Sequence, residues 1–528
     1  MHRRALLQGA ALGGLALARP SLAQPARTST LRFVPQANLT ALDPIWTSAI
    51  VTQIHGYHVY DTLYGVDGQQ RPHPQMAEGH TVSSDGRVWR IRLREGLYFH
   101  DGEPVRGRDA AASLARWSKR DPFGQVLAKV VESWSAPDDR TVEIKLTRPF
   151  PMLLDAIAKP DANVAFIIPE RLARTDANSQ VSEVVGSGPY RFLANEFVAG
   201  SRSAYAKFDR YVPREGVADW TSGGKIAHFN RVEWHVLPDP ATAIAALSNG
   251  EVDWVDQPLP DLIPTLARNP GVKVDTLATA GFLSLMRLNH LHPPFNNPKV
   301  RRAVALAVNQ ADYMGVTQGD ERSAWRECHS LFPCGTPYGT EDLSELARAP
   351  RSLDRAKAAL AESGYAGEKV VIINPTDFPL IGPHGQLTAD LLTRIGMNVD
   401  LMESDWGTVV QRRASREPVE KGGWSIFHTY GSAMSYINPA VSSLVKGTGA
   451  EGWFGWYSSP QMEDMIQTWL DAPDETSQKR IADAVNKLAQ DDVATVPLGQ
   501  FFIRTAYRSN LTGFVKGSMP YPWGVRPA

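Results

Sequence analysis

The chain has 528 residues, a formal net charge of −1, 43% hydrophobic and 21% charged residues. That length allows two or three domains, each with its own core. A charge so close to zero gives no electrostatic footprint for nucleic acid or an acidic membrane, so neither is expected as a partner.

The first residues read as an export signal. Arg3 and Arg4 precede a mild apolar run from Ala5 to Ala18, and Ser21-Leu22-Ala23 supplies the small residues of a cleavage site. Residues 1–23 are therefore expected to be a signal peptide. The paired arginines fit twin-arginine export, but Leu6 stands where that motif has Phe, so the general secretory route stays open. Without Arg3, Arg4 and Arg19 the 55 basic residues fall to 52 against 56 acidic, a mature charge of −4. No later stretch approaches the ~18 apolar residues of a membrane span, and no cysteine stands at the cleavage site. The mature chain is expected to be soluble and periplasmic.

The first half is rich in alternating strands. Trp89, Ile91 and Leu93 alternate with Arg90, Arg92 and Arg94, and Val142, Ile144 and Leu146 alternate with Glu143 and Lys145. Val232, Trp234 and Val236 repeat the pattern, followed by a helix from Ala241 to Leu247, a stop near Gly250 and a strand from Val252 to Val255. In the second half Asn297 and Pro298 open a helix, and another runs from Ser352 to Gly364. A strand (369–373), a helix (386–395) and a strand (398–402) then give a β-α-β order that predicts a parallel pair with a helical crossover. Helices near 460–470 and 475–490 precede a last strand at 496–503.

Cys328 and Cys334 sit six residues apart among Pro333, Gly335 and Pro337. In an exported chain this reads as a local disulfide pinning a surface loop. His55 with His58, and His290 with His292, have spacings that fit imidazole pairs, but no carboxylate or thiol lies close enough in sequence to make a metal site, and none is expected. Nor is there a Gly-x-Ser-x-Gly elbow, a His-Glu-x-x-His helix or a phosphate loop. Gly186-Ser187-Gly188-Pro189 reads as a structural turn, because Pro189 lacks the amide a phosphate would need. No catalytic residue and no cofactor is assigned.

Five blocks in fixed order carry the strongest signal: Leu42-Asp43-Pro44; Tyr60-Asp61-Thr62-Leu63; Arg94 to Gly102 (REGLYFHDG); Gly186 to Tyr190 (GSGPY); and Phe295 to Ala303 (FNNPKVRRA). Together they resemble the family 5 extracellular solute-binding proteins, two-lobed receptors that feed ABC importers. The resemblance implies an α/β, two-lobed periplasmic-binding-protein-like fold of type II, in its large version with an extra subdomain in lobe I. Lobe I would be 28–283 with the extra subdomain at about 57–178, completed by 500–528, and lobe II would be 284–499. The implied work is capture of a small or medium polar solute, peptide-like or other, between the lobes of a monomer. Delivery would be to the permease and ATPase subunits of an importer. An exported hydrolase and a ligand sensor docking to a membrane receptor are the alternatives.

Matching segments to peptide-binding members points to Trp46, Ser48, Trp406, His428, Tyr430, Ser435 and Tyr436 as ligand-contacting residues. One departure stands out. Peptide-binding members carry an aspartate before the tyrosine of this loop to pair with the ligand's ammonium group, whereas Ser435 precedes Tyr436 here. No acid lies between Trp424 and Lys446. A hydroxyl does not replace a buried charge pair. A peptide with a free amino terminus is therefore disfavoured, unless Asp405 or a carboxylate of the other lobe takes over.

Overall fold

The computed structural model describes residues 30–319, 321–472 and 474–528; the expected signal segment lies outside them. Two large sheets define two lobes. The first has seven strands in the order Tyr190–Phe192, Arg202–Lys207, Arg231–His235, Thr30–Val34, Trp254–Val255, Thr505–Arg508 and Val272–Asp275. The second has six: Trp325–Arg326, Val496–Phe501, Phe282–Leu288, Ile426–Ser432, Lys369–Pro375 and Asn398–Ser404. A four-stranded antiparallel sheet (Ala77–Val82, Val88–Leu93, Thr141–Leu146, Val131–Asp138) forms the extra subdomain beside the first lobe.

Local chemistry accounts for these elements. In Val88–Leu93, Trp89, Ile91 and Leu93 are buried while Arg90 and Arg92 face solvent, the alternation of a half-wet sheet. Phe282–Leu288 is buried at every position because it lies inside the second sheet with partners on both sides. Lys369–Pro375 and Asn398–Ser404 pair in parallel across the helix Gly382–Ile395, as the β-α-β order predicts. The helix Pro298–Ala307 starts where Asn297 Oδ1 accepts the Lys299 amide at 3.0 Å, and Gly250, at φ 78°, ends Pro240–Asn249.

The five sequence blocks turn out to be scaffold. Asp43 is buried and bidentate to Arg116, at 2.7 and 3.3 Å. Asp61 is paired with Lys225 at 2.7 Å, both fully buried, and accepts from the Tyr211 hydroxyl. The Gly188 amide donates to Val59 O at 2.8 Å and the His100 amide to Gly186 O at 2.8 Å. A Cβ on Gly186 would lie 2.0 Å from Val59 O, so this turn is packed too tightly for a side chain, let alone a phosphate. Arg301 and Arg302 tie their helix to the carbonyls of Asp492 and Asp491.

Several expectations need correction. Tyr57 belongs to the helix Ile50–Val59, not to the strands of the extra subdomain. The strand after Gly250 is only Trp254–Val255, and the helix from Leu353 ends at Ala361, before Gly364. Phe282, Leu283, Gln500 and Phe501 are strand residues of the second sheet, so the chain crosses between lobes at 276–281 and 502–504. Gly281 sits in the first crossing at φ 73°, where a Cβ would meet Phe501 O at 2.7 Å.

Cys328 and Cys334 are disulfide-bonded, but Cys328 is not in a surface loop. It is buried among Leu283, Leu285, Tyr436 and Leu444. His55 and His58 are core residues on Ile50–Val59, bonded to the Tyr205 hydroxyl and to Ile54 O. Burial pushes them down to about 3 and about 4, so both are neutral. His290 is half-buried beside Tyr457 while His292 bonds Arg416 O, so they do not form a pair.

Candidate functional site: a cleft between the lobes

A cleft of about 710 Å³, counting its open mouth, lies between the two lobes. From the first lobe it is walled by the loop before Ile50–Val59, by Gln36, by the turn Asp161-Ala162 and by Ser518-Met519. The second lobe contributes the end of the strand Ile426–Ser432 and the turn after it. It also contributes Phe378, Arg413, Trp453 and Trp406 at the start of the helix Trp406–Arg412. Ser48, Trp406, Tyr430, Ser435 and Tyr436, singled out by sequence, all line it. Trp46 lines an adjoining chamber of about 620 Å³ that shares Ser48, Ser435 and Trp453 with the first.

His428 is not brought to the cleft. It lies two residues down the strand from Tyr430, roughly 7 Å deeper into the lobe at the usual rise per residue. There its ring nitrogen bonds Thr388 at 2.8 Å, beside Tyr313 and His384. Burial and the neighbouring His384 push its pKa well down, so it is a neutral core residue. Trp424 is likewise core, its indole donating to Arg413 O at 3.1 Å.

Four hydrogen bonds bridge the lobes at the cleft. Ser432 donates to Asp161 Oδ2 at 2.9 Å, Tyr430 to Gln257 at 2.5 Å, the Trp453 indole to Ser48 at 3.1 Å, and Arg413 to Thr47 at 3.0 Å. The two neutral bonds are worth about 1 kcal/mol each, and the two made by Asp161 and Arg413 about 1.5–3. Gly407 marks how near the lobes come, since a Cβ there would lie 2.4 Å from a Thr40 methyl.

Two charged groups in the cleft each keep one polar atom without a partner. Asp161 is buried; Oδ2 is taken by Ser432, but Oδ1 accepts no hydrogen bond. Burial pushes its pKa up, while the nearby hydroxyls of Ser518 and Ser432 and the Lys159 ammonium pull it back. Asp161 is held in a turn where Ala162 adopts φ 56°, a strained conformation for a non-glycine residue.

Arg413 is 1% exposed and makes no ion pair among the described residues; its Nε has no acceptor. It lies among the rings of Phe454, Trp406 and Phe427, 5.0 to 5.7 Å from their centroids. Burial lowers its pKa to about 10, which leaves it charged at neutral pH.

Asp405 is engaged within its own helix. It caps Trp406–Arg412, accepting from the Thr408 amide and hydroxyl at 3.0 and 2.5 Å. Asp161, on the opposite wall, is the acid among the residues that line the cleft. Sequence reading missed both Asp161 and Arg413. Their signal was weak: an acid in a Pro-Asp-Ala-Asn turn and an arginine in a run of basic residues.

A family model for bacterial extracellular solute-binding proteins, family 5, matches residues 71–448. A probable peptide ABC transporter periplasmic-binding protein, y4tO, of Sinorhizobium fredii is 34% identical over the full length of both chains. AgaA of A. tumefaciens R10, solved with agropinic acid, superposes with a TM-score of 0.77 at 20% identity, covering 94% of this chain and 99% of its own. Helicobacter pylori DppA, solved with the peptide STSA, gives 0.77 at 20% identity over 94% and 98%. With two lobes meeting on a bridged cleft and a matching family model over most of its length, the chain belongs to the family 5 bacterial extracellular solute-binding proteins.

Proposed function

We propose that the protein is the capture component of an ABC importer and that its solute carries both an amine and an acid. The amine is received by Asp161 Oδ1 and a carboxylate by Arg413, with Trp406, Tyr430, Tyr436 and Ser48 shaping the space between. The observation that carries this reading is that one cleft holds a buried carboxylate oxygen and a buried guanidinium Nε, neither with a partner. Uncompensated buried charges cost several kcal/mol each, and a dipolar ligand would offset both at once. Peptides and acid-bearing amines are therefore the ligand class, and the peptide with a free amino terminus returns through a carboxylate of the first lobe.

The two lobes, joined at 276–281 and 502–504, close over the solute and present it to the permease. Lobe I in this reading is the first sheet with its extra subdomain and the C-terminal segment, and lobe II is the stretch from 282 to 501. Thermal shift and calorimetry against dipeptides, sugars and simple organic acids test the ligand class: stabilisation by dipeptides and not by sugars supports it. Loss of uptake when the gene is deleted separates delivery to an importer from signalling to a sensor.

A further inference from the structure

The adjoining chamber has a chemistry the main cleft does not explain. Lys446 lines it, is 4% exposed, and its ammonium has no hydrogen-bond partner. Arg120 lines it too. Its terminal nitrogens donate to Asn178 Oδ1 at 2.8 Å and to Trp46 O at 3.2 Å, and its Nε is unpartnered. The Thr448 hydroxyl, on the same wall, is buried and unpartnered.

The nearby acids are otherwise engaged or turned to solvent. Glu463 accepts from the Gly447 amide at 2.9 Å and pairs with Lys129 at 3.5 Å. Asp121 pairs with Lys159 at 2.7 Å and caps the helix Pro122–Ala128. Glu451 is exposed and makes no ion pair among the described residues. Two cations and a hydroxyl from opposite lobes thus converge on a space whose one lining acid, Glu451, is solvent-exposed and makes no ion pair with either among the described residues, a combination well suited to a carboxylate with its four acceptor sites.

We propose that this chamber is an anion subsite that takes a second carboxylate of the same solute, so the preferred ligand carries one amine and two acids. The inference rests on the dipolar reading of the main cleft and deepens it. Arg120 comes from the first lobe and Lys446 from the second, so the second carboxylate also bridges the lobes and favours closure.

Two matched pairs of probes test this by calorimetry: the dipeptide Ala-Glu against Ala-Gln, and N-(1-carboxyethyl)alanine against the twin in which the carboxyethyl acid is replaced by its amide. The acidic member of a pair should bind at least about tenfold more tightly, the change expected for one charge-assisted hydrogen bond. Lys446→Met should bring that ratio to within about threefold while leaving the neutral twin's affinity in place. Lys446→Gln repeats the measurement with a polar side chain. Equal binding of the twins by the wild type, or a ratio that survives in both variants, overturns the subsite alone. Binding of neither member of either pair overturns the dipolar reading and the subsite with it. Without ligand, Lys446→Met should melt at or above the wild-type temperature; a drop of several degrees assigns the lysine to a structural pairing and overturns the proposal.

Discussion

Replacing Asp161 with Asn is the sharpest probe of how the cleft reads an amine. Asparagine keeps the shape and can still accept from Ser432, now 2.9 Å from Oδ2. It loses the charge, however, and turns an amide donor toward the space where Oδ1 now lacks a partner. Removing one member of a buried charge pair costs about 3–5 kcal/mol, of which a single charge-assisted hydrogen bond accounts for about 1.5–3. At about 3 kcal/mol the dissociation constant of a dipeptide such as Ala-Glu rises roughly a hundredfold or more. The unliganded protein should not suffer, because burial already works against the ionised carboxyl; its melting temperature at neutral pH should match or exceed the wild type. Isothermal calorimetry and thermal melts of both proteins read the two effects separately. A fall in affinity of less than about fivefold, or a melting temperature lowered by several degrees without ligand, refutes the assignment of Asp161 to the amine.

Other outcomes follow from the same geometry. Ammonium capture needs the ionised Asp161, whose pKa burial raises, so affinity should fall as pH is lowered through a range above that of ordinary carboxyls. Calorimetry between pH 8 and pH 4.5 should show this acid limb in the wild type and not in Asp161→Asn. Asp256 is buried at the end of Trp254–Val255, and desolvation raises its carboxyl to about 7. The folded protein therefore holds a proton that the unfolded chain releases near 4. Stability from this group is full below about pH 4, declines by at most about 1.4 kcal/mol per pH unit, and is gone above about 7. Melting curves of Asp256→Asn should lack that slope. Asp405→Ala should cost about 1 kcal/mol of stability through the lost cap and leave dipeptide affinity unchanged; a large loss of affinity would return Asp405 to the ligand.

Much of the fold was legible because its signals are local. The alternation of Trp89, Ile91 and Leu93, the Asn297-Pro298 cap and the β-α-β order around Gly382–Ile395 each need only neighbouring residues. Half of the cleft was legible too, because the segments holding Trp406, Tyr430, Ser435 and Tyr436 could be matched to peptide-binding members, and all four line it. What failed was anything set by distance along an element or across lobes. His428 and Tyr430 share a strand and a parity, yet only the strand's end meets the cleft, so periodicity alone could not separate them. Asp161 faces Ser432 across the lobe boundary, a meeting no local pattern encodes. The disulfide pairing was readable from spacing, whereas the burial of Cys328 depends on Leu283 and Leu444, both remote in sequence.

The path of the chain through the two sheets also orders its assembly in time. Lobe II is spun from one uninterrupted stretch, Phe282 to Phe501, and can complete its sheet as soon as that stretch is available. Lobe I has a slot between Trp254–Val255 and Val272–Asp275 that only Thr505–Arg508 fills, pairing antiparallel with both. The stacked rings of Tyr521 and Trp523, which pack on Tyr57, arrive later still. The lobe that begins the chain is thus the last to be finished. A premature stop between Phe501 and Thr505 would leave lobe II with its six strands and lobe I with a split sheet, and would abolish a receptor from its far end.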